Sequence, residues 1–290
     1  MAENFSGDWL DLREPHDAAA RDEMLAIKLS AALPARPRIM DLGAGTGALL
    51  RWLALYIGRP QAWTLVDADP ALIERAFDTI ADRAESMGWN VTSPGRRVML
   101  VHTPRGAWRV EGLVADLREA PGNLPLHSVD AVVNTALCDL VSEPWLERMA
   151  AAIAARKMPF YAALNVTGAA RFVPPHPADA WVKRGFLRDQ ARDKGFGGRA
   201  LGHAAPQAIA RAFSAQGYAV ERTPSPWKIP RAFGDMLGEL AVGCAEAALR
   251  HERREAWRIE DWAEDRLAQS EMQRLSATVP HADVLALPGS

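Results

Sequence analysis

The run Arg36-Pro37-Arg38-Ile39-Met40-Asp41-Leu42-Gly43-Ala44-Gly45-Thr46-Gly47 constrains this chain more than any other stretch. Ile39 and Met40 close a short apolar strand, and Asp41 sits at its carboxyl end. Gly43, Ala44, Gly45 and Gly47 form a loop, and Ala48-Leu49-Leu50-Arg51-Trp52-Leu53-Ala54-Leu55 reads as a helix. Glycine admits positive φ and lets a backbone come close to a ligand. Strand, glycine loop and helix in that order place the loop at a helix N-terminus, on the carboxyl edge of a parallel sheet. Ligands of open α/β sheets bind there.

The loop alone leaves two cofactors open, a dinucleotide or S-adenosylmethionine. A nicotinamide fingerprint spaces its glycines as Gly-x-Gly-x-x-Gly. Here the third glycine arrives one residue early and Asp41 precedes the first. A carboxylate so near the turn repels a pyrophosphate but suits a ligand carrying an ammonium and a sulfonium. At these residues the chain resembles a class I S-adenosylmethionine-dependent methyltransferase. The resemblance implies a Rossmann-like α/β fold, with a seven-stranded methyltransferase sheet carrying helices on both faces. It also implies S-adenosyl-L-methionine as the cofactor.

Three further places carry the resemblance. Trp63-Thr64-Leu65-Val66-Asp67 reads as the next strand, followed by Ala68-Asp69-Pro70. An acidic residue roughly 20 positions past a glycine loop accepts hydrogen bonds from ribose hydroxyls. Asp69 precedes Pro70 and a helical run, so it suits an N-cap with proline at N1. The ribose is therefore assigned to Asp67, with Ala68 beside it, and the cap to Asp69. Val114-Ala115-Asp116-Leu117 resembles the family's third motif, which implies Asp116 for the adenine amino group and backbone contacts from Leu117. Val129-Asp130-Ala131-Val132-Val133-Asn134 reads as a buried strand and resembles the fourth motif, ending beside the transferred methyl. Asn134 then faces the methionine part of the cofactor. Asp139 either joins it or begins the helix near Glu143-Pro144.

At 290 residues and 49% hydrophobic composition the chain can bury one large core or two modest ones. Its net charge of −2, with basic residues scattered, gives no electrostatic footprint for nucleic acid. Two cysteines, Cys138 and Cys244, suggest a reducing compartment. Asp8, Asp11, Arg13, Glu14 and Asp17 argue against a signal peptide, and no apolar run reaches the length of a membrane span. These features predict a soluble, cytoplasmic protein that engages neither membrane nor nucleic acid. They leave the oligomeric state open.

Residues 1–35 are read as an N-terminal helical cover, with one or two amphipathic helices over 8–33. Residues 36–290 are read as the methyltransferase domain. Alternating strands and helices from 37 to 165 argue a parallel, doubly wound sheet. Val98–Val101 and Trp108–Val110 around Pro104-Arg105-Gly106 suggest a hairpin before or within the third strand. Phe160–Asn165 is the expected fifth strand, Tyr218–Arg222 the sixth, and Asp283–Leu287 the antiparallel seventh. Two segments exceed this frame. Residues 166–205, a connection of about 40 residues with aromatics, His176 and glycines, are longer than an ordinary loop and are read as a lid. Residues 228–276, with Trp257 and Trp262, are read as a solvated helical pair covering the sheet.

The whole chain resembles bacterial methyltransferases that share its Asp8-Trp9-Leu10-Asp11-Leu12-Arg13-Glu14-Pro15 opening and its Asp193-Lys194-Gly195-Phe196-Gly197 segment. An N-terminal helix of that kind implies Arg13 as a bidentate grip on the cofactor carboxylate. The alternative is a surface ion pair with Asp17. Methyl transfer is an in-line displacement in which the protein positions a nucleophile and excludes water. Where a general base is needed, the candidates are His176, His203 and Asp139. No Cys-x-x-Cys or His-x-x-x-His spacing suggests a metal, and no Gly-x-Ser-x-Gly elbow suggests a hydrolase. The expected activity is methyl transfer to an oxygen, nitrogen or carbon of a small-molecule acceptor. An NAD(P)-dependent oxidoreductase and a non-catalytic S-adenosylmethionine-binding interaction protein are the alternatives.

Overall fold

Capping residues set where many of the helices begin. In the computed structural model, which describes residues 6–289, Ser6, Asp22, Asp69 and Ser142 each accept a backbone N–H from the first turn that follows. Residues 1–5 of the expected N-terminal cover, and Ser290, lie outside the described residues. The chain opens with α1 (Gly7–Ala20) and α2 (Glu23–Ala32), then runs β1 (Arg38–Leu42), α3 (Ala48–Ile57), β2 (Gln61–Asp67) and α4 (Pro70–Ser86). An edge meander follows: β3 (Asn90–Gly95), β4 (Val98–Thr103) and β5 (Gly106–Val114). Next come β6 (Ala131–Thr135), α5 (Glu143–Ala154) and β7 (Phe160–Val166). The remainder comprises β8 (Arg171–Val173), α6 (Asp179–Gln190), α7 (Ala205–Ser214), β9 (Tyr218–Pro224), β10 (Trp227–Ile229), α8 (Gly234–Leu249), α9 (Ala256–Glu271), β11 (Ser276–Val279) and β12 (His281–Pro288).

Nine strands form the main sheet in the order β3-β4-β5-β2-β1-β6-β7-β12-β9. β5, β2, β1, β6 and β7 are mutually parallel, and β12 runs antiparallel between β7 and β9. The seven expected strands are all present, with β5 as the third. The expected hairpin is larger than its apolar pieces indicated, because β3 adds a third antiparallel strand. β3 is almost wholly exposed, so no apolar alternation marks it in the sequence.

Both faces of the parallel strands are buried, as parallel sheets require. On β1, Ile39 packs into the core beneath α2, α3 and α4, while Met40 and Leu42 pack into the core beneath α5 and α7. Alternation with period two assigns successive residues to opposite layers.

A third core lies apart from the sheet. Phe172, Val182, Trp227, Leu237, Ile259, Trp262 and Val279 pack together, joining α6, α8 and α9 to a small sheet ordered β10-β11-β8. This corrects the reading of the two long segments. Residues 166–205 and 228–276 are not a loop and a solvated pair over the main sheet; they are halves of one packed unit. Their hydrophobic faces satisfy each other, so each looks unpartnered when read alone. Gly185 of α6 makes the contact close: a Cβ there would lie 2.6 Å from the Ala248 Cα of α8.

Asp283 pins β12 to its surroundings. Fully buried, it accepts hydrogen bonds from the Tyr161 hydroxyl (2.9 Å), the Leu164 N–H (2.8 Å), the Ser225 hydroxyl (2.6 Å) and the Asp22 N–H (2.9 Å). Asp283→Ala strands four donors from β7, the end of β9 and the start of α2. We expect it to cost on the order of 4 kcal/mol in urea unfolding, against about 1 kcal/mol or less for Thr223→Ala on the adjoining strand.

Candidate functional site

The site grows from the register of β1 and β2. Leu42 pairs with Val66, so the two strands end side by side and the chain turns at Gly43. The loop then satisfies its own amides. Ala44 donates to the Val66 carbonyl (3.0 Å), Gly47 to the Ala44 carbonyl (2.8 Å), and Gly45 to Asp67 Oδ2 (2.9 Å). Gly45 has φ +53°, and a Cβ on it would stand 2.9 Å from Leu10 of α1. A larger residue there would be strained at that φ and would have to push aside the Leu10 side chain with which α1 closes over the loop. Asp67 also accepts from the Asp69 N–H through Oδ1 (3.0 Å), while Asp69 caps α4 through Ala71 (2.8 Å). Burial pushes the Asp67 carboxyl above its usual range, opposed by the Asp69 and Gly45 amides.

Around this loop opens a cleft of about 460 Å³. One wall is Asp67, Ala68, Asp69, Pro70 and Leu72; the other is Asp116, Leu117 and Arg118. Gly43, Ala44, Gly45 and Thr46 form the floor, continued by Thr135 at the end of β6 and by Ala136, Leu137 and Leu140 after it. Leu10, Arg13 and Asp17 of α1 cover one end, and Lys194 and Phe196 the other. Asp116 caps a short 3₁₀ turn, and its carboxylate is gripped by Arg118 (Nε to Oδ2, 2.8 Å), whose hydrogen bond holds it below the usual carboxylate range.

Arg13 and Asp17 form an ion pair at 3.1 Å, but not a surface one: their side chains are only 11% and 3% exposed. Asp17 also accepts from the Trp227 indole N–H (3.0 Å), and the Arg13 guanidinium lies 5.2 Å from that ring's centroid. Helical spacing four apart brought the pair together as expected. The burial comes from Trp227, some 200 positions away in sequence, which the sequence reading did not place there.

Behind the floor lies a set of buried polar groups. Asp41 is fully buried, and neither of its oxygens has a hydrogen-bond partner among the described residues. Arg21 Nε and Nη1, Thr46 Oγ1 and Asn134 Nδ2 share that condition. Burial pushes the Asp41 carboxyl up to about 8; Arg21 opposes this and Asp67 adds to it.

Of the residues singled out in the sequence, Arg13, Gly43, Ala44, Gly45, Asp67, Ala68, Asp116 and Leu117 line the cleft together. Three others stand behind the lining. Gly47 is the left-handed N-cap of α3, and Asp41 and Asn134 occupy the adjoining strand ends of β1 and β6. Asp139 is buried beside Leu140 without lining the cleft, and its carbonyl accepts from Gly202 (2.9 Å). His176 is not brought to the cleft at all. Its Nδ1 accepts from the Ala178 N–H (3.1 Å) at the start of α6, which leaves the proton on Nε2 to donate to Asp265 (3.1 Å). That histidine is a helix-end fastener, and its setting among prolines reflects the turn it holds. His203 sits in a 3₁₀ turn, also off the lining.

Leu10 and Asp17 were missed as lining residues, although they flank Arg13 at i−3 and i+4 and so share its helix face. Of the 166–205 segment only Lys194 and Phe196 reach the cleft, on a tight hairpin. Phe196 packs edge-on against Trp145 at 5.8 Å, and its carbonyl accepts from the Ser142 hydroxyl (2.7 Å).

No protein-family model matches the chain. Over 69 residues, 23% of its length, it is 46% identical to the biotin biosynthesis bifunctional protein BioCD of Bordetella avium, and the match spans only 15% of that protein. Among solved structures, it is similar to an S-adenosylmethionine-dependent methyltransferase from Geobacter sulfurreducens in complex with S-adenosyl-L-homocysteine. There the identity is 17%, the coverage 100% of each chain and the TM-score 0.44. It is also similar to the cyclopropane synthase MmaA2 from Mycobacterium tuberculosis, at 13% identity over 91% of this chain and 82% of that one, with a TM-score of 0.46. With five parallel strands, an antiparallel last strand set between the fifth and the sixth, and a glycine loop after the first, the protein has the Rossmann-like α/β sheet that its sequence predicts.

Proposed function

We propose that the protein is an S-adenosylmethionine-dependent methyltransferase acting on a small-molecule acceptor, with the cofactor in the cleft between the glycine loop and α1. One observation carries this reading. The loop amides of Ala44, Gly45 and Gly47 are already engaged, Gly45 with the Asp67 carboxylate itself. A pyrophosphate needs those donors free and no carboxylate beside them. A cationic ligand with ribose hydroxyls needs the reverse. The same observation disfavours a nicotinamide oxidoreductase.

The chain's residues fit that group. Asp67 faces the cleft at the end of β2 and serves as acceptor for the ribose hydroxyls. Leu72, Pro70 and Leu117 supply apolar area for the adenine, with Asp116 at the rim. Arg13 turns a planar guanidinium toward the cleft from α1 and serves as the grip for the cofactor carboxylate. The bound cofactor supplies a methyl group on a sulfonium, ready for in-line displacement. Leu137, Leu140 and Phe196 exclude water from the acceptor end, and Thr135 and Ala136 place the strand end beside it. No histidine lines the cleft among the described residues. Of the three candidate bases, Asp139 is the one whose chain neighbours Leu137 and Leu140 line the cleft, and we assign it the proton of an acceptor that requires its removal.

Titration calorimetry tests the cofactor: S-adenosylhomocysteine is expected to bind and NAD⁺ not, and the opposite order sinks the reading. Turnover with a panel of acceptors separates an enzyme from a non-catalytic binder. Asp67→Ala removes charge-assisted bonds worth about 1.5–3 kcal/mol, so S-adenosylhomocysteine affinity should fall about 10- to 150-fold. Asp69→Ala should instead cost about 1 kcal/mol of stability and leave affinity nearly intact. Equal binding losses in the two variants would overturn the ribose assignment. Asp139→Asn should lower kcat at least about 100-fold with cofactor affinity unchanged, as loss of a general base does; an unchanged kcat removes Asp139 from the chemistry.

Asp41 makes a separate prediction about stability. Its carboxyl titrates near 8 when folded against 3.8 ordinarily. Between those values the unfolded chain has released the proton and the folded chain keeps it, so this group lowers stability as pH rises. The slope approaches about 1.4 kcal/mol per pH unit. Asp41→Asn should therefore gain stability relative to wild type between pH 5 and pH 8 in urea unfolding. A difference that does not change with pH contradicts this.

A further inference from the structure

A second cluster of charge lies outside the cleft, where α6 meets the end of α8. Arg184 and Arg188 stand one turn apart on α6 and both pair with Glu252: Arg184 in a bidentate fork, with Nε 2.9 Å from Oε1, and Arg188 through Nη1 at 2.6 Å. Asp189 likewise gathers Arg192 (3.1 Å), Arg250 (3.3 Å) and the His251 ring (3.2 Å). The carboxylate side chains are only 5% and 3% exposed, whereas Arg184, Arg188 and Arg250 are 44%, 56% and 52% exposed. Four guanidiniums thus share two buried carboxylates. Glu255, the next acid along, pairs with Arg258 at 3.0 Å and also attracts Arg184. The partly exposed Arg184, Arg188 and Arg250 alone outnumber the two carboxylates, on a chain whose formal net charge is −2, and exposed Lys183, Arg253 and Arg254 flank them.

This arrangement is built. Like charges at i and i+4 repel on a helix; the shared Glu252 holds Arg184 and Arg188 together, and Arg184 also lies over the Trp181 ring, 4.1 Å from its centroid. Glu252 and Arg250 reach α6 because Gly185 lets α8 approach so closely, and a glycine inside a helix is costly in itself. Buried acids fix the roots of guanidiniums whose remaining N–H groups face solvent. That is the preorganisation a tetrahedral oxyanion needs, since arginine forks match phosphate oxygens two at a time. The cluster also adjoins the cleft. Arg192 accepts from Ala200 across the base of the hairpin whose tip carries Lys194 and Phe196 into the lining.

We propose that this arginine cluster is a binding site for a phosphate or diphosphate group, either free or carried by a molecule whose other end reaches the cleft along the 192–200 hairpin. The site itself does not depend on the methyltransferase reading, and its test uses no cofactor.

Inorganic pyrophosphate and hexyl diphosphate are titrated calorimetrically into the full chain at about 50 mM salt, where exposed charges are weakly screened. Both should bind saturably, with an affinity that falls as salt is raised. Arg188→Gln with Arg250→Gln removes one guanidinium from each carboxylate while Arg184 and Arg192 keep both paired. Affinity for both probes should drop at least tenfold. Arg188→Lys with Arg250→Lys keeps the charges but loses the forks and should fall between; it carries the test should the Gln pair unfold. Arg96→Gln, on a side chain 88% exposed at the opposite edge of the sheet, should change nothing. Tighter binding of hexyl diphosphate, with hydrogen-exchange protection of residues 194–198, assigns the group to a molecule reaching the cleft. Equal binding without that protection assigns it to a free oligophosphate. Absence of saturable binding, or losses in the Gln and Lys pairs no larger than in Arg96→Gln, overturns the proposal.

Discussion

Asp17 joins three parts of this molecule through one buried carboxylate. It takes the Arg13 guanidinium from its own helix and the Trp227 indole from β10, and it stands 3.5 Å from Arg21. A buried carboxylate is tolerated only when such partners replace its lost water. The helix that covers the cleft, the start of the second packed unit and the buried arginine behind the floor are therefore held to one another. Losing any one of these contacts weakens the compensation of a buried charge, so the cover over the cleft and the unit beside it are not independent parts.

The glycine loop works by the opposite logic. Its amides are turned inward, toward Val66, Ala44 and Asp67, so the loop is stable without any ligand. What it offers outward is the carboxylate of Asp67 and a backbone bare enough at Gly45 for Leu10 to rest against it. Behind it, Arg21 acts electrostatically on the buried Asp41, and several polar atoms of the two have no hydrogen-bond partner among the described residues. Buried polar groups left in that condition hold unfavourable electrostatics in the folded state.

The two long insertions share a core of their own, and this changes what they can do. A lid that was only a loop would close by ordering itself. Here most of residues 166–205 is already fastened, by His176 at the start of α6, by Phe172 against Trp262 and by β8 paired to β11. Only the short hairpin carrying Lys194 and Phe196 is left to face the cleft. Its base rests on the arginine-rich junction of α6 and α8, so events at that junction and at the mouth of the cleft share one backbone segment.

Local chemistry alone determined much of this protein. The strand, glycine loop and helix at 38–57, the cap at Asp69, the strand ends at Asp67 and Asn134 and the antiparallel strand near 283–287 all follow from short-range patterns of apolar spacing, glycine and capping residues. These patterns depend on neighbours a few positions apart; together with the family resemblance, which implies Arg13, Asp116 and Leu117, they name eight residues that do line the cleft. The tertiary structure decided the rest, because the rest depends on partners far apart in sequence. Nothing near Arg13 signals that Trp227 will bury it. His176 reads as a free imidazole until Asp265 and the start of α6 claim it. The segments at 166–205 and 228–276 look like a loop and a solvated pair until each is seen to supply the apolar face the other lacks. Periodicity reveals that a face must be buried; only the folded chain decides against what.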